Sequence, residues 1–461
     1  MSTDPDVREA HSVHLVGIGG SGMAALGSLL IQMGKHVSGS DLARNAAVAD
    51  LEQRGVVIFD THDAHNLEND VDYVVRSSAV PGDNPEVVAA QRKGLPTRKL
   101  AEAVGELMRE RSGVAIAGTH GKTTTTALVA WLLEQGGIDP LVLVGADTPN
   151  YAHGARLGNG PMVIEADEYD RRFLSYWPEV VVVTSIEADH LDYYRDLDEI
   201  RSVFGQLVER LPAHGRLVVC ADDPCAAALT SNAERESYGF ADLADWHIED
   251  YSPVAGRGAR FVLHTGGRAF PIESPLVGEH NARNVVGALA VADYFGVGLR
   301  VAAAALPAFQ GPRRRFETRG RPRGIWLVDD YGHHPTEVSA VLRAARSVAE
   351  GEVWVVFQPH TTNRTWALFD EFASAFDAAQ HVLVLPIYRP SGRELAGRDV
   401  SSEDLVAAIE RRGHVDVRYV KDFAAACEVV SRGANPGDLV LTMGAGDVTL
   451  LSGQLLEALS Q

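Results

Sequence analysis

Residues 113–137 of the chain read GVAIAGTHGKTTTTALVAWLLEQGG. The apolar run Val114–Ala117 predicts a short buried strand, and the loop Gly118–Gly121 follows it directly. Lys122–Gln135 then predicts a helix, which Gly136 and Gly137 end. A strand, a glycine loop and a helix in this order are typical of a parallel α/β sheet, so this stretch decides the fold class.

The same loop has the composition of a phosphate-binding loop. Its residues are Gly118, Thr119, His120, Gly121, Lys122, Thr123 and Thr124. Glycines let backbone N–H groups turn toward phosphate oxygens, and the helix N-terminus adds the positive end of a dipole. In such a loop Lys122 can reach the β- and γ-phosphates of ATP, and a threonine hydroxyl, here that of Thr123, can bind Mg²⁺. The strict pattern G-x-x-x-x-G-K-[ST] is not met, because Ile116 stands at its first glycine position. A glycine-rich turn before a helix is the alternative.

Acidic and imidazole side chains follow two of the next predicted strands. The next three strands are predicted at Leu141–Val144, Met162–Ile164 and Val180–Thr184, and the polar side chains follow the second and the third. Glu165 is the first acid after the second of them, where a carboxylate can bind the Mg²⁺ that bridges the phosphates. His190 follows the third strand and is expected at the same carboxyl edge of the sheet, where α/β sites lie. The alternatives are a solvated acidic turn and a structural histidine.

A second glycine loop lies near the N-terminus. A strand predicted at Val13–Val16 leads into Gly17-Ile18-Gly19-Gly20-Ser21-Gly22, which matches G-x-G-x-x-G before a predicted helix. Asp41 follows about twenty residues later, after a second predicted strand. The pattern indicates a diphosphate at a helix N-terminus, and both a dinucleotide and a UDP-sugar carry one. An NAD(P)-dependent dehydrogenase is therefore the rival hypothesis, although such an enzyme has no need of the loop at Gly118–Thr124.

The remaining sequence extends the α/β pattern. At 461 residues the chain is long enough for about three domains. A composition shift occurs at Gln310-Gly311-Pro312. After it, strands are predicted at Ile325–Asp329, Val353–Phe357, His381–Leu385 and Leu439–Thr442. We predict three α/β domains: a Rossmann-like domain at 1–111, a P-loop ATPase-like domain with a mainly parallel sheet at 112–312, and a Rossmann-like domain at 313–461.

The charge distribution restricts the partners. The formal net charge is −20, which disfavours nucleic acid and anionic membranes because both require a positive surface. Locally, however, six arginines fall in one short stretch: Arg313, Arg314, Arg315, Arg319, Arg321 and Arg323. They are candidates for binding an anionic substrate, and a solvated basic linker is the alternative.

Several features favour a cytoplasmic protein. No apolar run reaches the roughly 18 residues that span a bilayer. The N-terminal MSTDPDVREAHS has no basic segment followed by an apolar one, so we expect no signal peptide. The three cysteines, Cys220, Cys225 and Cys427, are too few and too scattered for a disulfide framework.

The motifs together resemble the Mur ligase family, and most closely its branch that joins UDP-N-acetylmuramate to L-alanine. The resemblance covers nearly the whole chain, and the order and spacing of the motifs make it specific. The motifs are HLVGIGGSGM, VSGSD, AGTHGKTTT, EADEYDRRFL, IEADHLDYY, GEHNARNVVGALA, GPRRRFE, DDYGHHPTE, VVFQPH and MGAGD.

The resemblance implies a reaction and three domain roles: UDP-sugar binding, ATP hydrolysis and amino-acid binding. The lactyl carboxylate of UDP-N-acetylmuramate attacks the γ-phosphate of ATP and gives an acyl phosphate. The amine of the amino acid then displaces phosphate through a tetrahedral intermediate. The implied cofactors are ATP and Mg²⁺, the implied partners are small molecules alone, and we expect a monomer or a homodimer.

The resemblance also assigns residues. It implies catalytic roles for Lys122, Glu165, His190 and Arg314, with His190 helping to hold a second Mg²⁺. It implies nucleotide or orienting contacts from His280, Asn281, Asn284 and Asp329. It implies substrate contacts from Gly17, Gly19, Gly20, Ser21, Gly22, Asp41, Tyr331, His333, His334 and Arg364. For the residues near Asn281, helix capping is the alternative.

Two departures bear on the branch of the family. No lysine occurs between His190 and Cys220, where other branches carry a carbamylated lysine, and this fits the alanine-adding branch. That branch usually reads PHRYTRT, whereas this chain reads PHTTNRT, with Thr361 and Thr362 in place of an arginine and a tyrosine. L-Alanine stays the predicted amino acid, with Arg364 holding its carboxylate. A ligase that attaches muramyl peptides to UDP-N-acetylmuramate during cell-wall recycling is the alternative.

Overall fold

The structure is a computed structural model that describes residues 6–67, 70–191, 193–256, 258–389, 400–414 and 416–460. The chain forms two compact units. Unit 1 comprises Met1–His247, His264–Arg268 and Asn284–Ala305. Unit 2 comprises Ile248–Leu263, Ala269–Arg283 and Leu306–Gln461. The predicted boundaries at 111/112 and 312/313 stay a prediction.

The N-terminal part of unit 1 is a five-stranded sheet with the strand order β3-β2-β1-β4-β5. Its elements are β1 (Ser12–Val16), α1 (Ser21–Gln32), β2 (His36–Ser40), α2 (Ala46–Gln53), β3 (Val57–Phe59), β4 (Tyr73–Arg76), α3 (Pro85–Arg92), β5 (Thr97–Lys99) and α4 (Leu100–Met108). All neighbouring strands are parallel. Every residue of β1 is buried, as expected for a central parallel strand that is covered on both faces.

The larger sheet of unit 1 carries the phosphate loop. Its elements are β6 (Gly113–Ala117), α5 (Lys122–Gln135), β7 (Leu141–Leu143), β8 (Ala155–Arg156), β9 (Met162–Ala166), β10 (Pro178–Val183), α6 (Leu197–Val208), β11 (Arg216–Cys220), α7 (Pro224–Ala227) and β12 (Glu234–Gly239). The order is β12-β11-β10-β6-β9-β7-β8, with only the β7–β8 pair antiparallel. Because β6 lies between β9 and β10, the loops after all three strands meet at one edge of the sheet.

The chain continues through β13 (Trp246–Val254), β14 (Gly258–Thr265), β15 (Arg268–Ser274), α8 (Glu279–Tyr294) and α9 (Leu299–Ala305). The strands β13, β14 and β15 are neighbours in that order and lie mostly in unit 2. Their sequences are polar and alternate in burial, and sequence patterns gave no prediction for them.

Unit 2 also contains a six-stranded sheet with the order β16-β17-β21-β18-β19-β20. Its elements are β16 (Glu317–Gly320), β17 (Trp326–Asp330), α10 (Pro335–Val348), β18 (Val353–Phe357), α11 (Thr362–Ala367), α12 (Phe369–Ala373), β19 (His381–Val384), α13 (Ser402–Arg411), β20 (Val417–Tyr419), α14 (Phe423–Gly433), β21 (Leu439–Met443) and α15 (Thr449–Ser460). Only the edge strand β16 pairs antiparallel.

The predicted elements agree well with these bounds. The helix predicted at Lys122–Gln135 and the strand predicted at Val353–Phe357 have the predicted ends. One detail was wrong: Glu165 does not follow its strand but lies within β9, opposite Ile116 of β6. Ala166 also pairs with β6, opposite Ala117, so the strand continues past the acid. All three cysteines are free, and none of the helices in the described residues is long and apolar enough to cross a membrane.

Candidate active site

The phosphate loop turns sharply at two glycines with positive φ. Gly118 has φ +132° and Gly121 has φ +81°. A Cβ on Gly118 would lie 2.0 Å from the Thr184 hydroxyl oxygen, and a Cβ on Gly121 would lie 2.5 Å from Oδ1 of Asn284. Both positions therefore require glycine for conformation and for space.

Residues that follow β10 hold this loop in place. The N–H groups of Thr119 and His120 donate to the carbonyl and the hydroxyl of Ser185, at 2.8 and 3.1 Å. The Thr119 hydroxyl accepts from the N–H of Glu187 at 2.8 Å, and the Thr184 hydroxyl donates to the His120 carbonyl at 2.5 Å. None of these partners was predicted, because the contacts join segments more than sixty residues apart.

Lys122, the first residue of α5, is almost buried. Its ammonium group donates to the Gly118 carbonyl at 2.5 Å and to Oε2 of Glu168 at 2.9 Å. Burial lowers the pKa of Lys122, but the nearby carboxylates of Glu168 and Asp167 outweigh it, so the pKa is raised overall. Burial raises the pKa of Glu168, and the Lys122 charge opposes that shift. Lys122 is thus a permanent cation, held against the loop by a carboxylate that the prediction passed over.

Thr123 and Glu165 form a second contact at the same edge. The Thr123 hydroxyl donates to Oε1 of Glu165 at 2.9 Å, and Oε2 of Glu165 accepts from the N–H of Gly145 at 2.9 Å. A hydroxyl and a carboxylate side by side offer the hard oxygen ligands that Mg²⁺ prefers. The structure therefore brings together the two predicted metal ligands that adjoin the loop.

His190 belongs to a separate cluster on this edge. The ligand atoms of Asp167, Glu168 and His190 all lie within 4.8 Å of one another. The imidazole Nε2 is 3.9 Å from Oε1 of Glu168, and the ring centre is 5.0 Å from that of Tyr169, with the two ring planes tilted by 58°. His190 has φ +54°, an uncommon conformation that holds the side chain here. Two carboxylates and an imidazole can hold a divalent cation. Asp167 and Glu168 were missed, although the run EADE carries both.

The N-terminal glycine loop is held by β2. The N–H groups of Gly17 and Ile18 donate to the Ser40 carbonyl at 2.8 and 3.0 Å. The N–H of Gly19 donates to Oδ2 of Asp41 at 2.8 Å. One of the two carboxylate oxygens of Asp41 is thus hydrogen-bonded to the loop itself. At the start of α1, Gly20 and Ser21 are exposed, so this helix N-terminus is open to a ligand, while Gly22 packs near Leu100.

Asp329 of unit 2 is fully buried (0% exposed) at the end of β17. Its carboxylate accepts from the hydroxyls of Thr442 and Thr449 at 2.8 and 2.7 Å, and lies 3.5 Å from Nε of Arg314. Arg314 also donates to the Gly444 carbonyl at 2.6 Å. Asp329 therefore connects β17, β21 and α15 in this structure, and its predicted nucleotide contact stays a prediction.

The residues that follow β17 lie near two arginines and at the start of α10. The guanidinium groups of Arg314 and Arg315 lie 4.9 and 5.1 Å from the ring centre of Tyr331. The ring of His333 is 5.2 Å from Tyr331. His334 is buried and caps the N-terminus of α10.

A third group of predicted residues surrounds His360, after β18. Its ring is 5.7 Å from that of His333 and stacks at 5.6 Å on Tyr388. Nη1 of Arg364 lies 3.4 Å from Nδ1 of His360. Thr361 has φ +66° and caps α11 by accepting from the N–H of Arg364 at 3.3 Å. In unit 2, the His333 ring therefore lies between those of Tyr331 and His360 in a chain of ring contacts, and Arg364 lies beside His360.

The three predicted residues of α8 fall in different units. His280 and Asn281 belong to unit 2, and Asn284 belongs to unit 1 beside Gly121. Burial, reinforced by Arg283, lowers the pKa of His280 to about 4, so the ring is neutral at pH 7. The Asn281 side-chain amide donates to the Val277 carbonyl at 2.8 Å, in the segment just before α8.

Three family profiles cover most of the chain. Residues 12–112 match the one described as Mur ligase family, catalytic domain. Residues 116–292 match Mur ligase middle domain, and residues 314–446 match Mur ligase, glutamate ligase domain.

The chain belongs to the Mur ligase family.

Individual relatives agree with the family assignment. This Mur ligase is 42% identical to the UDP-N-acetylmuramate–L-alanine ligase of Chelativorans sp. strain BNC1, with 95% of this chain and 96% of the relative covered. The crystal structure of UDP-N-acetylmuramate–alanine ligase from Thermotoga maritima is similar with a TM-score of 0.81 at 28% identity, covering 97% and 98% of the two chains. A murein peptide ligase from Psychrobacter arcticus gives 0.70 at 26% identity, covering 98% and 99%. The predicted family and the three-domain α/β fold with mainly parallel sheets are confirmed.

Proposed function

We propose that this Mur ligase forms the amide bond between the lactyl carboxylate of UDP-N-acetylmuramate and the amine of L-alanine. The reaction consumes ATP and supplies a peptidoglycan precursor in the cytoplasm. This substrate pair is supported by the relative from Chelativorans, a UDP-N-acetylmuramate–L-alanine ligase that is 42% identical over 95% of this chain. The rival hypothesis, an NAD(P)-dependent dehydrogenase, gives the Lys122 loop no function.

One observation carries the ligase chemistry. At one edge of one sheet, the Lys122 loop adjoins the Thr123–Glu165 pair and the cluster of Asp167, Glu168 and His190. Phosphoryl transfer needs positioning and charge neutralisation more than covalent help from the protein. A fixed cation, the N-terminus of α5 and two groups of metal-binding side chains supply that chemistry.

The oxygen donors fit Mg²⁺. Thr123 and Glu165 would hold one ion, and Asp167, Glu168 and His190 would hold a second. When bound, Mg²⁺ neutralises charge on the phosphate oxygens.

Different residues of the chain are proposed to act at different steps of the reaction. N–H groups of the Gly118–Lys122 loop bind the nucleotide phosphates, and the Lys122 ammonium lies against the γ-phosphoryl group. A lactyl carboxylate oxygen bonds to that phosphorus as ADP leaves, which gives the acyl phosphate. The neutral amine of L-alanine bonds to the acyl carbon, phosphate leaves, and the nitrogen loses a proton. Arg364 is proposed to hold the L-alanine carboxylate, because a guanidinium binds carboxylate in a bidentate manner.

The remaining predicted residues complete the proposal. The N-terminal loop binds the UDP diphosphate at the exposed start of α1, with Asp41 directed at the ribose. His280, Asn281, Asn284 and Asp329 are proposed to orient the nucleotide, and Arg314 to meet phosphate. Tyr331, His333 and His334 are proposed to shape the amino-acid site. Mass spectrometry of the product tests the proposal: the ligase forms UDP-N-acetylmuramoyl-L-alanine, ADP and phosphate in equal amounts.

A recycling ligase that takes a muramyl peptide is favoured by one observation only, the small residues at Thr361 and Thr362. The structure limits that argument. Thr362 is buried, and Thr361 is half-buried with its hydroxyl engaged in capping α11, so their small size alone does not indicate a peptide substrate. L-Alanine therefore stays the proposed substrate.

Replacing Glu165 tests the first metal site. Glu165→Gln removes a charge while keeping the size of the side chain, and we expect the Mg²⁺ concentration for half-maximal activity to rise about tenfold or more. Excess Mg²⁺ should restore part of the rate, and EDTA should abolish it. Glu179→Gln is the matched control, because Glu179 lies at the amino end of β10 in the same sheet and accepts from the Tyr294 hydroxyl at 2.7 Å. An unchanged Mg²⁺ dependence in Glu165→Gln would remove Glu165 from the site.

Replacing Thr361 tests amino-acid binding. We expect Thr361→Arg to lower the KM for L-alanine, since a bidentate arginine–carboxylate contact contributes about 1.5–3 kcal/mol, or roughly 10- to 150-fold. The substitution also removes the cap of α11, so the melting temperature is measured alongside; loss of a cap costs about 1 kcal/mol. Thr361→Ala, which removes the cap without adding a charge, is the control. A tripeptide or tetrapeptide with higher kcat/KM than L-alanine in the unaltered enzyme would favour the recycling ligase instead.

A further inference from the structure

A buried carboxylate lies beneath the N-terminal glycine loop. Glu86, in the first turn of α3, is fully buried (0% exposed). Its oxygens lie 2.7 Å from the Ser40 hydroxyl, 2.7 Å from Nδ1 of His62, 2.9 Å from Nδ2 of Asn66 and 3.2 Å from Nε2 of His14. One side chain thereby joins β1, β2 and the segment after β3 to α3.

Such a group is costly to bury. A carboxylate loses its hydration on burial, and an apolar side chain of similar size would pack there without that loss. Burial acts to raise the pKa of Glu86, but the hydrogen bonds from His14, Asn66 and Ser40 outweigh it and the pKa is lowered, so the group is ionised at neutral pH. A buried, ionised group with four polar partners fixes those partners in one arrangement.

The arrangement it fixes leads directly to the loop. Ser40 donates its hydroxyl to Glu86, and its carbonyl accepts the N–H groups of Gly17 and Ile18 at 2.8 and 3.0 Å. The next residue, Asp41, accepts the N–H of Gly19 at 2.8 Å. Three successive N–H groups of the loop therefore depend on where Ser40 and Asp41 lie. The hydroxyl of Ser40 ties that position to Glu86.

We propose that Glu86 is a positioning residue for UDP-N-acetylmuramate: through Ser40 it sets the conformation of the Gly17–Gly22 loop that receives the diphosphate. The inference rests on the proposed function of that loop. Glu86 is too deeply buried to touch the ligand, so its effect is on the affinity for the UDP-sugar. ATP binding and the chemical step at the Lys122 loop are left unaltered.

Three variants of the full-length chain test this proposal, and the same set of measurements is made on each. Glu86→Gln removes the charge, Ser40→Ala removes the hydroxyl while keeping the carbonyl, and the double variant combines them. Glu106→Gln is the matched control: this carboxylate accepts from the Tyr73 hydroxyl at 2.6 Å and from Arg98 at 3.1 Å, at the amino end of the same sheet. The measurements are Kd for UDP-N-acetylmuramate by calorimetry, KM for each substrate, kcat and the melting temperature.

We expect Glu86→Gln and Ser40→Ala to raise Kd and KM for the UDP-sugar about tenfold or more, since a hydrogen bond to a charged group is lost. The KM for ATP and kcat at saturation should change less than about twofold, a split that lost stability alone does not produce. The double variant should resemble Glu86→Gln alone, because both changes break one connection. Glu106→Gln should leave Kd unchanged.

Other outcomes separate the two levels of the argument. If the unaltered enzyme fails to bind UDP-N-acetylmuramate, the proposed function of the loop fails, and this inference with it. If the unaltered enzyme binds but Glu86→Gln binds equally well, only the positioning role is overturned. Multiplying effects in the double variant would likewise overturn the route through Ser40. Should Glu86→Gln not fold, Ser40→Ala decides alone: an unchanged Kd contradicts the proposal, and a tenfold rise supports it.

Discussion

Lys122→Ala is expected to reduce ATP-dependent phosphate release by about a thousandfold or more, since removal of a cation from a transferring phosphoryl group has effects of that size. Binding of UDP-N-acetylmuramate should stay nearly intact, because the N-terminal glycine loop belongs to a different sheet. The variant also leaves the Glu168 carboxylate buried without its ion-pair partner, which costs about 3–5 kcal/mol of stability. Calorimetric binding and the melting temperature are therefore measured together with the rate.

Lys99→Ala is the control for this variant. Lys99 pairs with Asp170 at 2.9 Å in the same unit, but its side chain is 39% exposed and does not adjoin the phosphate loop. We expect near-normal activity, since an exposed ion pair contributes only about 0–1 kcal/mol. Equal loss of phosphate release and UDP-sugar binding in Lys122→Ala would contradict the assignment of the two loops to different substrates.

Gly118→Ala should be nearly as damaging, for a reason of space. The added Cβ would lie 2.0 Å from the Thr184 hydroxyl and 2.9 Å from the Ser185 nitrogen, at a φ of +132° that side chains rarely adopt. The loop has to move away from the Ser185 segment that holds it. A displacement of about 1 Å in a positioning group can cost about a hundredfold in rate, and we expect that loss together with a higher KM for ATP.

Gly137→Ala separates backbone strain from displacement. Gly137 has φ +82° just beyond the other end of α5, and its added Cβ would meet no atom within 4 Å. This variant should lose about 1–3 kcal/mol of stability and keep its KM for ATP. If both variants bind ATP as the unaltered enzyme does, the loop does not hold the phosphates.

Local patterns were enough to predict the centre of the fold. The strand, glycine loop and helix around Lys122 are consecutive in sequence, so their chemistry is legible without tertiary information. The family also followed from the order of the motifs, and it is confirmed. Sequence patterns could not identify Glu168 as the partner of Lys122, since the two residues are 46 positions apart.

Other misses have the same physical origin. Ser185 and Glu187 act on the phosphate loop through contacts that only the β6–β10 pairing creates. In unit 2, the Thr442 and Thr449 hydroxyls that donate to the Asp329 carboxylate were also not predicted, since they lie 113 and 120 positions away in β21 and α15. A residue's position at a strand end is visible in sequence, whereas its burial is not.

The central claim is tested most directly by phosphate release from ATP and Mg²⁺, measured with UDP-N-acetylmuramate and a panel of amino acids and short peptides. Release is predicted to require UDP-N-acetylmuramate and to have its highest kcat/KM with L-alanine. Phosphate release that does not depend on the UDP-sugar would contradict the account. So would saturable NADH or NADPH binding with turnover of an alcohol or carbonyl compound.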